Sequence, residues 1–144
     1  MADAPLMSSL VKLFRLASPD RALLIEAWIL QAATRVGLSL FALPRLQKIL
    51  ACAAGQKAGS VDTPRLVWAI NVAGRYVPHS TCLVRALAGQ ALLRRRGQES
   101  SLHLGVALTE SKGFEAHAWL EHRGQVILGE SEAGRFTPLT RVNA

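Results

Sequence analysis

Cysteine is scarce in this 144-residue chain, which has only Cys52 and Cys82. Two thiols cannot build a disulfide scaffold, and they stand in no CxxC pair. Acidic residues are also few: 10 against 17 Lys and Arg, for a net charge of +7. No Asp occurs after Asp62. Aromatic residues make up 6% of the chain, too few for an aromatic-rich basic strand of the kind that binds RNA. No uncharged apolar run reaches the roughly 20 residues that cross a bilayer. The apolar segment from Ala22 to Leu43 is broken by Glu26, Gln31 and Arg35, and reads as a buried helix with no transmembrane span. A signal peptide is not expected either, because Asp3 stands where basic residues would, and Lys12 and Arg15 interrupt the apolar residues that follow. These absences point to a cytoplasmic protein with reduced thiols.

What is present suits a packed core. Half of the residues are hydrophobic, and the length fits a single domain, residues 1–144. Charge is divided unevenly. Residues 1–97 hold 13 Lys and Arg against 4 Asp and Glu, whereas residues 98–144 hold 4 against 6. The basic part suits either a solvated surface or an acidic partner: nucleic acid, a membrane surface or an acidic peptide.

Patterning changes near Gly97. Before it the signals are helical. Ser18 is a cap candidate, with Pro19 at the first helical position and Asp20 in the first turn. Pro44 interrupts, and a second helix runs from there to Gly55. Asp62 is a cap candidate for a third, with Pro64 in its first turn, and a fourth runs from Ser80 or Thr81 to Gly97. After Gly97 the period falls to two. Leu102, Leu104, Val106 and Leu108 share one face. In the next strand Phe114, Ala116, Ala118 and Leu120 share one face, and Glu115, His117, Trp119 and Glu121 the other. QVIL (125–128) follows a short turn containing Gly124. Helices first and strands second predict an α+β fold with a small antiparallel sheet. Residues 1–76 form its helical part and residues 77–144 the remainder.

Cys52, within ILACAA, reads as a small buried hydrophobe. Cys82 is placed differently. With Ser80 as the cap it falls in the first turn of a helix, where unpaired N–H groups and the dipole favour thiolate and suit a developing oxyanion. A metal site would draw on Cys82, His79, His103, His117 and His122, but none of these form a metal-ligand spacing, and no metal is expected. A cysteine nucleophile needs a histidine and a group that orients it. His117 is the candidate base. With a two- or four-residue loop, Glu121 pairs with Val126, Trp119 with Leu128 and His117 with Glu130, whose carboxylate would then orient the ring. A three-residue loop instead puts Gly129 opposite His117, and Glu132 or Glu121 competes for that role. For a second oxyanion donor, Asn71, Tyr76 and His79 are candidates. Trp119 suits shielding of the pair or ordinary packing. Arg94, Arg95 and Arg96 suit a solvated helix end or an acidic partner.

Cys82-Leu83, Arg85-Ala86-Leu87, Leu92 to Gly97, Gly105-Val106 and Ala116-His117-Ala118-Trp119 with Glu121 and Gly124, in that order, resemble the leader peptidases of lasso-peptide biosynthesis. These B proteins are members of the transglutaminase-like (papain-like) cysteine-protease superfamily, and residues 76–130 carry nearly all of the resemblance. It implies a papain-like core, with the nucleophile at a helix N-terminus packed on the sheet. It also implies cleavage of a ribosomally made precursor after its leader, with Cys82 as nucleophile, His117 as base and an acid near Glu130. The third member of the family's triad is usually Asp, and here Glu130 stands in that region. Residues 1–76 do not resemble the leader-gripping module of larger members. The resemblance therefore implies the split form, in which a separate leader-recognition protein presents the precursor peptide and an ATP-dependent lasso cyclase takes the product. No Gly-rich phosphate loop is present, so no nucleotide or other cofactor is expected. The rival readings are a nucleic-acid-binding domain, another acyl transfer on the same fold, and a non-catalytic interaction module.

Overall fold

The computed structural model describes residues 4–53, 55–56, 59–111, 113–129 and 137–143. Five helices come first: α1 (Ala4–Arg15), α2 (Ser18–Leu40), α3 (Leu43–Ala53), α4 (Thr63–Gly74) and α5 (Cys82–Arg95). Four strands follow: β1 (Ser101–Thr109), β2 (Gly113–His122), β3 (Gln125–Leu128) and β4 (Thr137–Asn143). They form one antiparallel sheet in the order β3-β2-β1-β4. The expected α+β class is the observed one, and β4 is an element that the alternation after Leu128 did not reveal.

The helix starts show where local signals hold. Ser18 is the first residue of α2 rather than its cap; Ala17 takes the cap position, and no side chain bonds the free N–H groups there. Asp62 does precede α4 as its cap residue, again without a side-chain bond. At α5 the cap is Thr81, extended at φ −83° and ψ 170°, and its hydroxyl accepts from the Val84 N–H at 3.4 Å. Pro19 and Pro64 both sit at helix starts, where a missing N–H costs nothing.

α5 is the centre of the fold. Val84 and every residue from Ala86 to Leu93 are buried, because α2 and α4 cover one side of the helix and the sheet covers the other. The core joins Leu23 and Ala27 of α2, Leu66 and Ile70 of α4, Leu87 and Leu92 of α5, and Leu102, Leu120 and Leu128 of the sheet. Gly89 permits the close approach. A Cβ there would lie 2.7 Å from Leu128 Cδ1 and 3.0 Å from Leu120 Cδ2. At the far end of the helix Glu26 of α2 receives Arg95 at 3.0 Å and Arg96 at 2.8 Å. Arg95 and Arg96 are thus not the solvated end that the sequence suggested. They neutralise a buried carboxylate and tie α5 to α2, while Arg94 remains exposed.

β1 and β2 pair Leu102 with Leu120, Leu104 with Ala118, Val106 with Ala116 and Leu108 with Phe114, so the two expected apolar faces are one face. The turn to β3 has two residues, Arg123 and Gly124, at φ 52° and 75°, as a hairpin of primed type requires. Glu121 pairs with Val126 as expected. A bulge then shifts the register, and Leu120 rather than Trp119 stands opposite Leu128. The shift has a packing cause: it brings Leu128 to the core side, against Gly89.

Two further expectations fail. Cys52 is exposed, because the short α3 buries only Leu46. The Ala22–Leu43 segment is not a buried helix. α2 is covered on one side only, and Ile25, Ile29, Val36 and Leu40 are exposed.

Candidate active site

Cys82 is the first residue of α5, directly after its Thr81 cap. The backbone arrives there under constraint. His79 has φ 55°, a left-handed conformation unusual for a non-glycine residue. The next residue, Ser80, is fixed from below: its hydroxyl donates to Gln31 Oε1 at 2.9 Å, while Gln31 Nε2 donates to the Ile70 carbonyl at 2.8 Å. Gln31 is fully buried, and satisfying both ends of its amide there requires this geometry. The sequence shows Gln31 only as a polar break in an apolar run. Its role in holding the segment ahead of the thiol is visible only once α2, α4 and that segment are packed together.

His117 lies mid-strand on β2, opposite Gly105, whose lack of a side chain leaves the ring room on that neighbour. His117 Nε2 lies 3.2 Å from the Gly129 carbonyl. A carbonyl only accepts, so Nε2 carries the proton and Nδ1 is the basic nitrogen of the neutral ring. Gly129 has φ 79°, and a Cβ on it would lie 2.9 Å from the Ala118 carbonyl and 3.0 Å from His117 Nε2. Position 129 thus needs glycine for conformation and for space, and its carbonyl is an orienting group for His117 that the strand pattern did not identify. Glu130 and Glu132, the acids expected for that role, lie outside the described residues. Glu121 does not serve His117. It pairs with His103 at 3.1 Å.

His103, Trp119 and His117 form a stack on one face of the sheet. The first two rings are 5.4 Å apart and nearly parallel, and the second two are 6.2 Å apart. Trp119 is buried and packs beside His117. His122 is structural: its buried ring donates from Nδ1 to the Glu99 carbonyl at 2.6 Å and so locks the link between α5 and β1. Among the described residues no cluster of His, Cys, Asp and Glu could hold a metal ion. Of the oxyanion candidates, Tyr76 donates its hydroxyl to Ser9, Asn71 is exposed on α4, and His79 is exposed three residues before Cys82.

Ser101 follows α5 closely and pairs with Glu121, so β2 runs in the same sense as α5. Gly89 and Leu120 are level with each other. Seven residues back along a helix is about 10 Å, and three residues back along a strand is again about 10 Å. Cys82 and His117 therefore belong to the same end of the layered core. Alternation puts His117 and Leu120 on opposite faces of β2. β3 stops opposite Leu120, which leaves β2 at His117 without paired β3 beside it.

A family model described as the transglutaminase-like superfamily matches residues 27–141, most of the chain. The chain belongs to the transglutaminase-like superfamily. This superfamily includes cysteine peptidases and acyltransferases and is commonly cysteine-dependent. The match begins in α2 and ends in β4, so it takes in the thiol at the start of α5 and the histidine strand. No curated relative and no solved structure matches the chain.

Proposed function

We propose that this member of the transglutaminase-like superfamily is a cysteine peptidase that removes the leader from a lasso-peptide precursor. Cys82 is the nucleophile and His117 the base. The observation that carries the reading is the pairing of two built features at one end of the core: a cysteine at the capped N-terminus of the most buried helix, and a histidine whose Nε2 is bonded to a backbone carbonyl. The resemblance of residues 76–130 to lasso leader peptidases supports the substrate class.

In this mechanism His117 Nδ1 takes the thiol proton as Cys82 Sγ attacks the carbonyl carbon at the leader–core junction. Free N–H groups in the first turn of α5 stabilise the oxyanion. The C–N bond breaks, and His117 returns the proton to the departing amine of the core peptide. Water, deprotonated by His117, attacks the thioester, and the leader leaves with a free carboxylate as Cys82 regains its proton. Glu130 is the acid proposed to assist Gly129 in orienting His117. A separate leader-recognition protein presents the precursor, and the ATP-dependent cyclase receives the core.

The test is mass spectrometry of precursor incubated with the protein and its leader-recognition partner, with and without an added small amine. A peptidase yields free leader carboxylate and intact core. Leader carrying the added amine as an amide would make the protein an acyltransferase. Uncut precursor, from folded protein with its cognate partner, would leave a binding module.

A further inference from the structure

The N-terminal helices carry a surface that the proposed chemistry does not use. On α2, Ile25, Ile29, Val36 and Leu40 follow one another at intervals of four, seven and four residues, the spacing of a single helical face. All four are exposed, Val36 at 58% and Leu40 at 69%. The stripe is about 22 Å long at a helix's rise per residue. It meets a second apolar set on α1, where Leu10, Val11 and Phe14 are exposed, Phe14 at 71%. Leu10 of α1 and Ile25 and Trp28 of α2 line one groove of about 540 Å³.

Among the described residues the charges around this surface are mainly basic. Beside the stripe Arg21, Trp28 and Arg35 are spaced seven apart in a row along α2. Lys12 and Arg15 lie on α1, and Arg45 and Lys48 on α3. The two carboxylates of α1–α3 are both engaged inside the protein: Asp20 accepts from Arg65, and Glu26 from Arg95 and Arg96. A flat aliphatic stripe edged by Trp and Arg, with both carboxylates of α2 already paired, is complementary to lipid headgroups of negative charge over acyl chains.

We propose that α1 and α2 form a docking surface for an anionic lipid bilayer, with α2 lying in the interface rather than across it. By length and composition α2 could span a membrane. Its other side is committed to the fold, however, because Glu26, Gln31 and Thr34 are buried there against α4 and α5. Insertion would strip the ion pair and the Gln31 bonds from their partners. In the docked arrangement Ile29, Val36 and Phe14 enter the acyl boundary, and Arg21 and Arg35 reach the phosphates.

The test is co-sedimentation of the full chain with vesicles of phosphatidylcholine, with or without phosphatidylglycerol. Binding to the anionic vesicles, weakened by salt and at least about tenfold weaker on phosphatidylcholine alone, is expected. Ile29→Glu with Val36→Glu should lower partitioning about tenfold or more while circular dichroism and the melting temperature are kept, since both side chains are exposed. Arg21→Gln with Arg35→Gln should weaken anionic binding by roughly fivefold per cation and leave the residual binding to phosphatidylcholine unchanged. Failure of the wild type to sediment with anionic vesicles would overturn the proposal. So would a solution dimer that Ile29→Glu with Val36→Glu dissolves, because a second copy would then be what covers the stripe.

Discussion

α2 and α5 are both apolar helices, yet they meet opposite fates. α5 is enclosed between helices and sheet, and its residues from Ala86 to Leu93 are all buried. α2 lies at the outside of the helical layer, and four of its large aliphatic side chains face outward. Composition does not separate them. Depth in the layers does, and depth depends on contacts far apart in sequence. A further contrast follows. Of the polar residues buried at α2, Glu26 and Gln31 are each bonded to α5 or to a segment beside it, whereas the N-terminus of α5 ends on a cysteine. α2 supports the helix that carries the thiol.

The sharpest way to break this contrast is at the thiol itself. Cys82→Ala should lower leader release by about a thousandfold or more with the melting temperature unchanged, as loss of a nucleophile does. Kinetics beside a thermal melt checks both halves. Next in size is the core. Leu92→Ala on α5 should cost about 2–5 kcal/mol, against about 0.5 kcal/mol or less for Val36→Ala on the outer face of α2. Denaturant titration of the pair measures the difference in depth directly, and equal losses would refute it. Glu26→Gln leaves Arg96 buried without its counter-charge and should cost about 3 kcal/mol; the same titration reads it. Gly129→Ala pushes a Cβ against His117 Nε2 from a left-handed backbone. Turnover should fall roughly 10–100-fold through misplacement of the ring, with about 1–2 kcal/mol of destabilisation. The smallest effect is expected at Thr81→Ala, where loss of the cap costs about 1 kcal/mol.

Much of the C-terminal half was legible in the sequence. Period-two alternation gives β1, β2 and β3 close to their observed limits, and Pro64 and Gly97 bracket the helices between them. Cys82 at a helix start and His117 on a strand followed from the same local signals. Four things did not. β4 contains Pro138 and lies at the sheet edge, where alternation is weakly imposed. The bulge opposite Leu120 arises from packing of Leu128 on Gly89, a contact 39 residues apart in sequence, and it sets Leu128 opposite Leu120 rather than Trp119. The Gly129 carbonyl belongs to the backbone, and no side-chain pattern announces it. Likewise the pairing of Glu26 with Arg96, 70 residues apart, made a buried ion pair of what looked like a surface charge run.

The most direct test of the central claim compares the two thiols in one assay. Leader release from the cognate precursor, with the leader-recognition protein present, is followed for the wild type, Cys82→Ala and Cys52→Ala. The account predicts that Cys82→Ala abolishes release and Cys52→Ala leaves its rate unchanged. Release that survives in Cys82→Ala, or that disappears in Cys52→Ala, would contradict it.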